Sequence, residues 1–173
     1  MSRRVIIVDP DDNVVGSDEL AEAKRQGLIT RVSRVFLFND QGELYLQKRG
    51  PGVDFPGLWD QSAGGHVDVG ETYFQAARRE LAEEVGVYEA DLRQITKYFT
   101  DWEYATQQLK RFNVVFVARS DQEPKVDGAE AVEGKWVSLD ELDRWVSSDE
   151  AAFPQGFIQA YHAFREAHRQ QAD

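Results

Sequence analysis

The chain has 173 residues, 42% apolar and 12% aromatic, which is enough material for one packed domain and too apolar for a disordered chain. Its net charge of −11 argues against a surface built to coat nucleic acid or anionic lipid. The absence of cysteine removes disulfides, thiolate metal sites and thiol nucleophiles together.

In chain order, Met1-Ser-Arg-Arg is followed by only four apolar residues and then by Asp9-Pro-Asp-Asp, too short and acidic for a signal peptide. No apolar run approaches the ~20 residues of a membrane span. The expectation is a cytoplasmic protein that binds neither membrane nor nucleic acid. Val5 to Val8, a turn at Asp11-Asp12-Asn13, and Val14-Val15-Gly16 read as a hairpin. Ser17 reads as the N-cap of a helix through Gln26, closed by Gly27. Val32 to Phe38 and Leu44 to Lys48 are strands around the turn Asn39–Gly42, with Leu44 and Leu46 on one face. Residues 50–57 are a loop.

A helix is expected from Thr72 to Val85, ended by Gly86. Two long strands follow, Ile95 to Tyr104 and Arg111 to Arg119, joined by a polar turn. After the loop Asp121 to Gly128 come a short strand at Lys135-Trp136-Val137 and a helix from Leu139 to Val146 capped by Ser138. Phe157, Tyr161 and Phe164 recur at helical spacing in a tail from Gln155 to about Arg169. Strands with interspersed helices indicate an α/β layered domain with helices covering a mixed sheet. Three histidines, His66, His162 and His168, do not make a zinc site, because the last two do not share a helical face.

The chemistry is concentrated at residues 65–87, GHVDVGETYFQAARRELAEEVGV. Phe74, Ala77, Leu81 and Val85 form a stripe able to pack on a sheet. At ~100° per residue, Glu80, Glu83 and Glu84 fall within an arc of about 100° beside that stripe. Such an arc is ordinarily a solvated acidic face, since like charges at this spacing repel by only a few tenths of a kcal/mol per pair. Here Ala63-Gly64-Gly65 precedes the helix and can bring a backbone carbonyl close to a cation shared with the glutamates. Glu71, eight residues before Arg79, can lock loop to helix.

These residues resemble the Nudix box, G-x5-E-x7-R-E-U-x-E-E-x-G-U with U a bulky aliphatic residue. Gly65, Glu71, Arg79, Glu80, Leu81, Glu83, Glu84, Gly86 and Val87 match every fixed position. The resemblance covers about residues 29–146 and leaves a hairpin-helix extension at about 1–28. It implies one Nudix domain over residues 1–173, an α/β/α sandwich with the box as loop–helix–loop. It also implies Mg2+ or Mn2+ held by Glu80 and Glu84, with Glu83 as a further ligand or acting through water and the Gly65 carbonyl completing the set. Glu71 and Arg79 become supports. The implied reaction is hydrolysis of a diphosphate linkage by an activated water attacking phosphorus. The proton acceptor is a box glutamate or one on a later loop, where Glu130 and Glu133 stand; Glu103 is a weaker candidate.

The order of elements also resembles isopentenyl-diphosphate isomerases on the same fold, with Pro56-Gly57-Leu58-Trp59 followed by Gly65-His66. Their alkene chemistry uses a cysteine, histidines and paired glutamates. Gly64 stands in the cysteine's place, Thr30 in that of a histidine, and the glutamate pair falls near Leu109 and Arg111. A non-catalytic diphosphate-binding Nudix module is a third reading, disfavoured by the intact box. Lys48 and Arg49 are candidates for phosphate oxygens, and Phe55, Trp59, Trp102 and Tyr104 for stacking on a base. Nucleoside di- or triphosphates lead the expected small-molecule substrates; sugar-nucleotides, dinucleotides and isoprenoid-like diphosphates stay open. Oligomeric state is not legible.

Overall fold

The computed structural model describes residues 3–104 and 107–172. Alternating core residues and turn chemistry yield the strands β1 (Arg4–Val8), β2 (Val14–Glu19), β3 (Ile29–Phe38), β4 (Glu43–Arg49), β5 (Trp59–Asp60), β6 (Ala63–His66), β7 (Asp91–Tyr104), β8 (Gln107–Arg119) and β9 (Ala131–Ser138). The helices are α1 (Leu20–Gln26), α2 (Tyr73–Val85), α3 (Leu139–Ser148) and α4 (Gln155–Ala172). Among the described residues the strands join in one mixed sheet.

β3 is its hub. It runs parallel to β8 from Ile29↔Lys110 to Phe38↔Arg119 and antiparallel to β6 from Val32↔His66 to Val35↔Ala63. It meets β4 only at Phe38↔Leu44, so β4, with β5 and β9 beside it, diverges from β3 and β6. The period of two along β3 assigns its two faces. Val35 and Leu37 pack with Ala77, Leu81 and Val85 of α2, whereas Phe36 and Phe38 pack with Leu142 and Val146 of α3 and with Phe157, Tyr161 and Phe164 of α4. The result is the expected sandwich of helix, mixed sheet and helix.

Thr72 caps α2 through a capping box: its Oγ1 accepts from the Gln75 N–H (3.2 Å), and the Thr72 N–H donates to Gln75 Oε1 (2.8 Å). Gly86 ends the helix in the left-handed conformation at φ 67°. Ser138 caps α3 as expected.

Three expectations are corrected. Ser17 does not cap α1. The β1–β2 hairpin pairs on to Arg4↔Glu19, which holds Ser17 in a strand opposite Ile6, and the helix starts only at Leu20. Phe74 leaves the α2 stripe and is 43% exposed, because Ala76 and Ala77 fill the buried arc in that turn. β7 also begins four residues before the expected Ile95, at Asp91, where it pairs with Arg119.

The extension is fastened by a turn. Asp12 sits at φ 64°, a left-handed conformation that Asp tolerates better than most residues. Its carboxylate accepts from Arg31 Nε (2.7 Å), Tyr73 Oη (3.0 Å) and Lys97 Nζ, from β3, α2 and β7 respectively. Burial pushes this carboxyl up, but Lys97, Arg31 and Tyr73 outweigh it and hold it below its ordinary value.

Candidate active site: a carboxylate pair beside a basic cavity

The helical period sends Glu80 and Glu84 toward the β6 strand. Gly65 has no Cβ, and one built there would lie 2.0 Å from Glu80 Oε1, so only glycine lets the carboxylate reach this backbone. Glu80, 5% exposed, accepts at that oxygen from Arg79 Nη1 (2.7 Å) and from Arg3 Nη2 (2.8 Å). Glu84 accepts from the Gly64 N–H (3.0 Å) and from the Gln47 amide. Burial first, and the neighbouring Glu80 charge, push Glu84 up to about 8 against the lowering effect of those two donors. Glu83 is turned outward, its side chain 60% exposed and 3.2 Å from Arg79 Nη1.

Arg79 is the brace of the box. Its Nε and Nη2 donate to the two oxygens of Glu71 (2.8 and 2.9 Å), and Nη2 also reaches the His66 carbonyl (3.1 Å). The Asp68 N–H donates to Glu71 (3.0 Å) and closes the loop onto the helix.

A divalent cation suits this donor set. Both arginines meet Glu80, whereas Glu84, raised by burial and then by the Glu80 charge, has no cationic partner among the described residues. The Gln47 Oε1, on the side chain that bonds Glu84, is buried without a hydrogen-bond partner among the described residues. These and the glycine carbonyls are hard oxygen donors, the kind that Mg2+ and Mn2+ take. In the geometry described, no three Asp, Glu or His side chains among the described residues converge on one point.

Gly64, Gly65 and His66 line a cavity of about 460 Å3. Its wall includes Arg3, Lys24, Arg34, Arg49 and Arg111 against only two acids, Asp54 and Asp60. In a chain of net charge −11 this is a local inversion of sign. His66 faces it as a neutral imidazole: burial, and then the charges of Arg111, Lys24, Arg3 and Arg34, hold it well below its ordinary value. Its Nε2 is buried without a partner among the described residues.

Of the substrate candidates read from sequence, Arg49, Phe55 and Trp102 line this cavity. Arg49 is already paired to Asp60 at 2.8 Å. Lys48 and Trp59 do not line it. Trp59 is 9% exposed in the core under α3, 5.8 Å from the Trp145 ring centroid, with Lys135 Nζ 4.5 Å from its own. Lys48 lies 3.8 Å from Glu133. Glu130, Glu133 and Glu103 are exposed and line no part of the cavity. The side chain of Tyr104 lies outside the described residues.

Arg3, Lys24, Arg34 and Arg111 went unread in the sequence. One signal was available for two of them. Arg34 shares a strand face with Phe36 and Phe38, and Arg111 shares one with Asn113 and Val115, so both charges stand on a core-facing stripe.

A sequence model of the NUDIX domain matches residues 28–161. An uncharacterised Nudix hydrolase of Pseudomonas aeruginosa is 37% identical over 131 residues, 75% of each chain. An isopentenyl-diphosphate Delta-isomerase of Photorhabdus laumondii is 33% identical over 141 residues, 80% of this chain and 79% of that one. A crystal structure from Deinococcus radiodurans superposes with a TM-score of 0.75 at 30% identity, covering 93% of this chain and 99% of the other.

Proposed function

The chain belongs to the Nudix family, and on that premise we propose that it is a divalent-cation-dependent hydrolase of diphosphate linkages in small molecules, nucleoside di- or triphosphates foremost. The observation that carries this reading is the buried pair Glu80 and Glu84, packed against the Gly64-Gly65 backbone, which also lines a net-positive cavity. Glu80, Glu84 and the Gly65 carbonyl would hold the cation, with Glu83 turning inward to join them or acting through water. When bound, Mg2+ or Mn2+ neutralises diphosphate charge and makes water a better nucleophile at neutral pH.

The protein's own groups supply the rest. Arg79 and Glu71 hold the loop and helix at a fixed spacing, so the carboxylates need no rearrangement of the backbone. The cavity cations bind and orient the phosphates, and its apolar wall, with Phe55, Trp102 and Leu109, takes the organic part and sheds water. Glu83 is the acceptor of the water's proton in this reading, because it is the exposed carboxylate of the box. Glu130→Gln and Glu133→Gln are then expected to change turnover less than about threefold, whereas a base contributes about 10²–10⁴.

The test is a panel of nucleoside di- and triphosphates, sugar-nucleotides and dinucleotides, assayed for released phosphate or monophosphate with Mg2+ and with Mn2+. Full turnover in excess EDTA, or no turnover of any compound, overturns the reading.

The names of the isomerase relatives favour a second reading, alkene isomerisation of an isopentenyl diphosphate. That chemistry needs a carbon acid and base, and the residue at the thiol's place is Gly64, in a chain without cysteine. Deuterium entering isopentenyl diphosphate from heavy water, with nucleotides untouched, would reverse the ranking.

A further inference from the structure

The cations of the cavity are not equally compensated. Arg49 has Asp60, and Arg3 has Asp68 and Glu80. Lys24, Arg34 and Arg111 have no carboxylate within ion-pair distance among the described residues. Arg34 is 8% exposed and donates to neutral amides, Asn113 Oδ1 (3.0 Å) and Gln61 Oε1 (3.1 Å), beside the Tyr98 hydroxyl. It is placed with care: a Cβ at Gly156, in the first turn of α4, would come within 2.9 Å of its Nη2. The Arg111 guanidinium and the Lys24 ammonium, both partly buried, donate to no described side chain or carbonyl.

The three charges also repel one another. Burial, and then the Arg34 charge, lower Arg111 to about 10; burial and then Arg111 lower Lys24. Asp54 acts on both in the opposite sense, but from beyond ion-pair range. Partly buried like charges cost stability in the empty protein when no carboxylate among the described residues stands within ion-pair distance to offset them. Such an arrangement is explained by an anion that arrives with the ligand and carries more than one charge.

We propose that Lys24, Arg34 and Arg111 form a subsite for a terminal phosphate, so that the chain takes monoesters of di- or triphosphate in preference to diphosphate diesters. This rests on the diphosphate reading of the neighbouring carboxylates. A terminal phosphate carries about −1.5 to −2 near neutral pH, whereas a diester phosphate carries a single charge and has an ester oxygen where the subsite offers a donor. Two guanidiniums and an ammonium supply the fork and point donors that such a group accepts from. Lys24 comes from α1, so the hairpin-helix extension is a specificity element of the site.

Binding is measured calorimetrically in EDTA, where the proposed hydrolysis is silent, with inorganic pyrophosphate, ADP and ADP-ribose as probes. The wild type should bind ADP about tenfold or more tighter than ADP-ribose. Arg111→Gln and Lys24→Gln should each reduce ADP affinity about tenfold, change ADP-ribose affinity little, and leave the melting temperature unchanged or raised, since each removes a repelled charge. Two variants on different elements guard against a local folding defect in one. ADP-ribose binding as tightly as ADP, a preference kept in both variants, or no binding of pyrophosphate and ADP overturns the subsite. The hydrolase reading fails separately: ADP bound through these residues but never turned over with Mg2+ or Mn2+ sinks the reaction and keeps the subsite. Turnover of ADP-ribose in preference to ADP does the reverse.

Discussion

The box and the N-terminal extension meet at Glu80, which receives Arg79 from the box and Arg3 from the extension on the same oxygen. The two segments arrive there by different routes. Arg79 is one residue from Glu80 on one helix, with Glu71 eight residues before it, so the helical period brings all three together. Arg3 is 77 residues away and reaches Glu80 because β1 pairs with β3, β3 pairs with β6, and the Ile6 N–H donates to the Val67 carbonyl at 3.2 Å. A segment read from sequence as an added element thus contributes one cation to the carboxylates, a second, Lys24, to the cavity, and Asp12 to a cluster spanning three elements. The box carries the buried carboxylate pair, while residues outside it shape what those carboxylates meet.

In the box, the largest effect is expected from Glu84→Gln. The amide keeps shape and can still meet Gly64 and Gln47, so the fold should survive by circular dichroism. Turnover should fall by about 10²-fold or more, with weaker Mn2+ binding. Turnover like that of the wild type would remove Glu84 from the site.

On the extension side, Asp12→Asn leaves Arg31 and Lys97 facing an amide and should cost about 2–3 kcal/mol in denaturant unfolding. The pH dependence has a definite sign. The folded carboxyl is held below its ordinary value of 3.8, so its contribution is complete above that value and is lost as pH falls through the lower folded one. Wild type and Asp12→Asn should therefore converge in stability on acidification below about pH 4. A constant gap down to the lowest pH at which both fold would show that the carboxylate charge is not what fastens the hairpin.

A smaller effect is expected at the brace. Glu71→Gln keeps one acceptor for Arg79 and should lower turnover about tenfold with little change in cation affinity, because its action runs through the loop. A loss as deep as that of Glu84→Gln would make Glu71 a ligand and redraw the site.

The smallest effect tests the corrected helix face. Phe74→Ala should cost less than about 1 kcal/mol, whereas Leu81→Ala, two stripe positions on and 1% exposed, should cost about 2–5 kcal/mol. Equal losses would mean that Phe74 is buried in solution.

The helix limits of α2, the cap at Gly86, the strand faces of Leu44 and Leu46 and the amphipathic α4 were legible because each depends on residues within a few positions of one another. Ser17 and Phe74 were misread for the opposite reason. The start of α1 was decided by how far the hairpin pairs, and the exposure of Phe74 by which side chains already filled the sheet's surface; both are contests with distant residues.

The same division runs through the site. The carboxylate arc, its glycine approach and its arginine brace follow from local spacing, because a helix converts spacing into direction without help from the rest of the chain. What surrounds them depends on how distant segments assemble. Lys24, Arg34 and Arg111 come from a helix and two strands, and they share a cavity because β3 and β8 run parallel and in register with Thr30 opposite Arg111. Register between strands far apart in sequence is set by the packing of both sheet faces, and no local pattern in this one chain records the outcome.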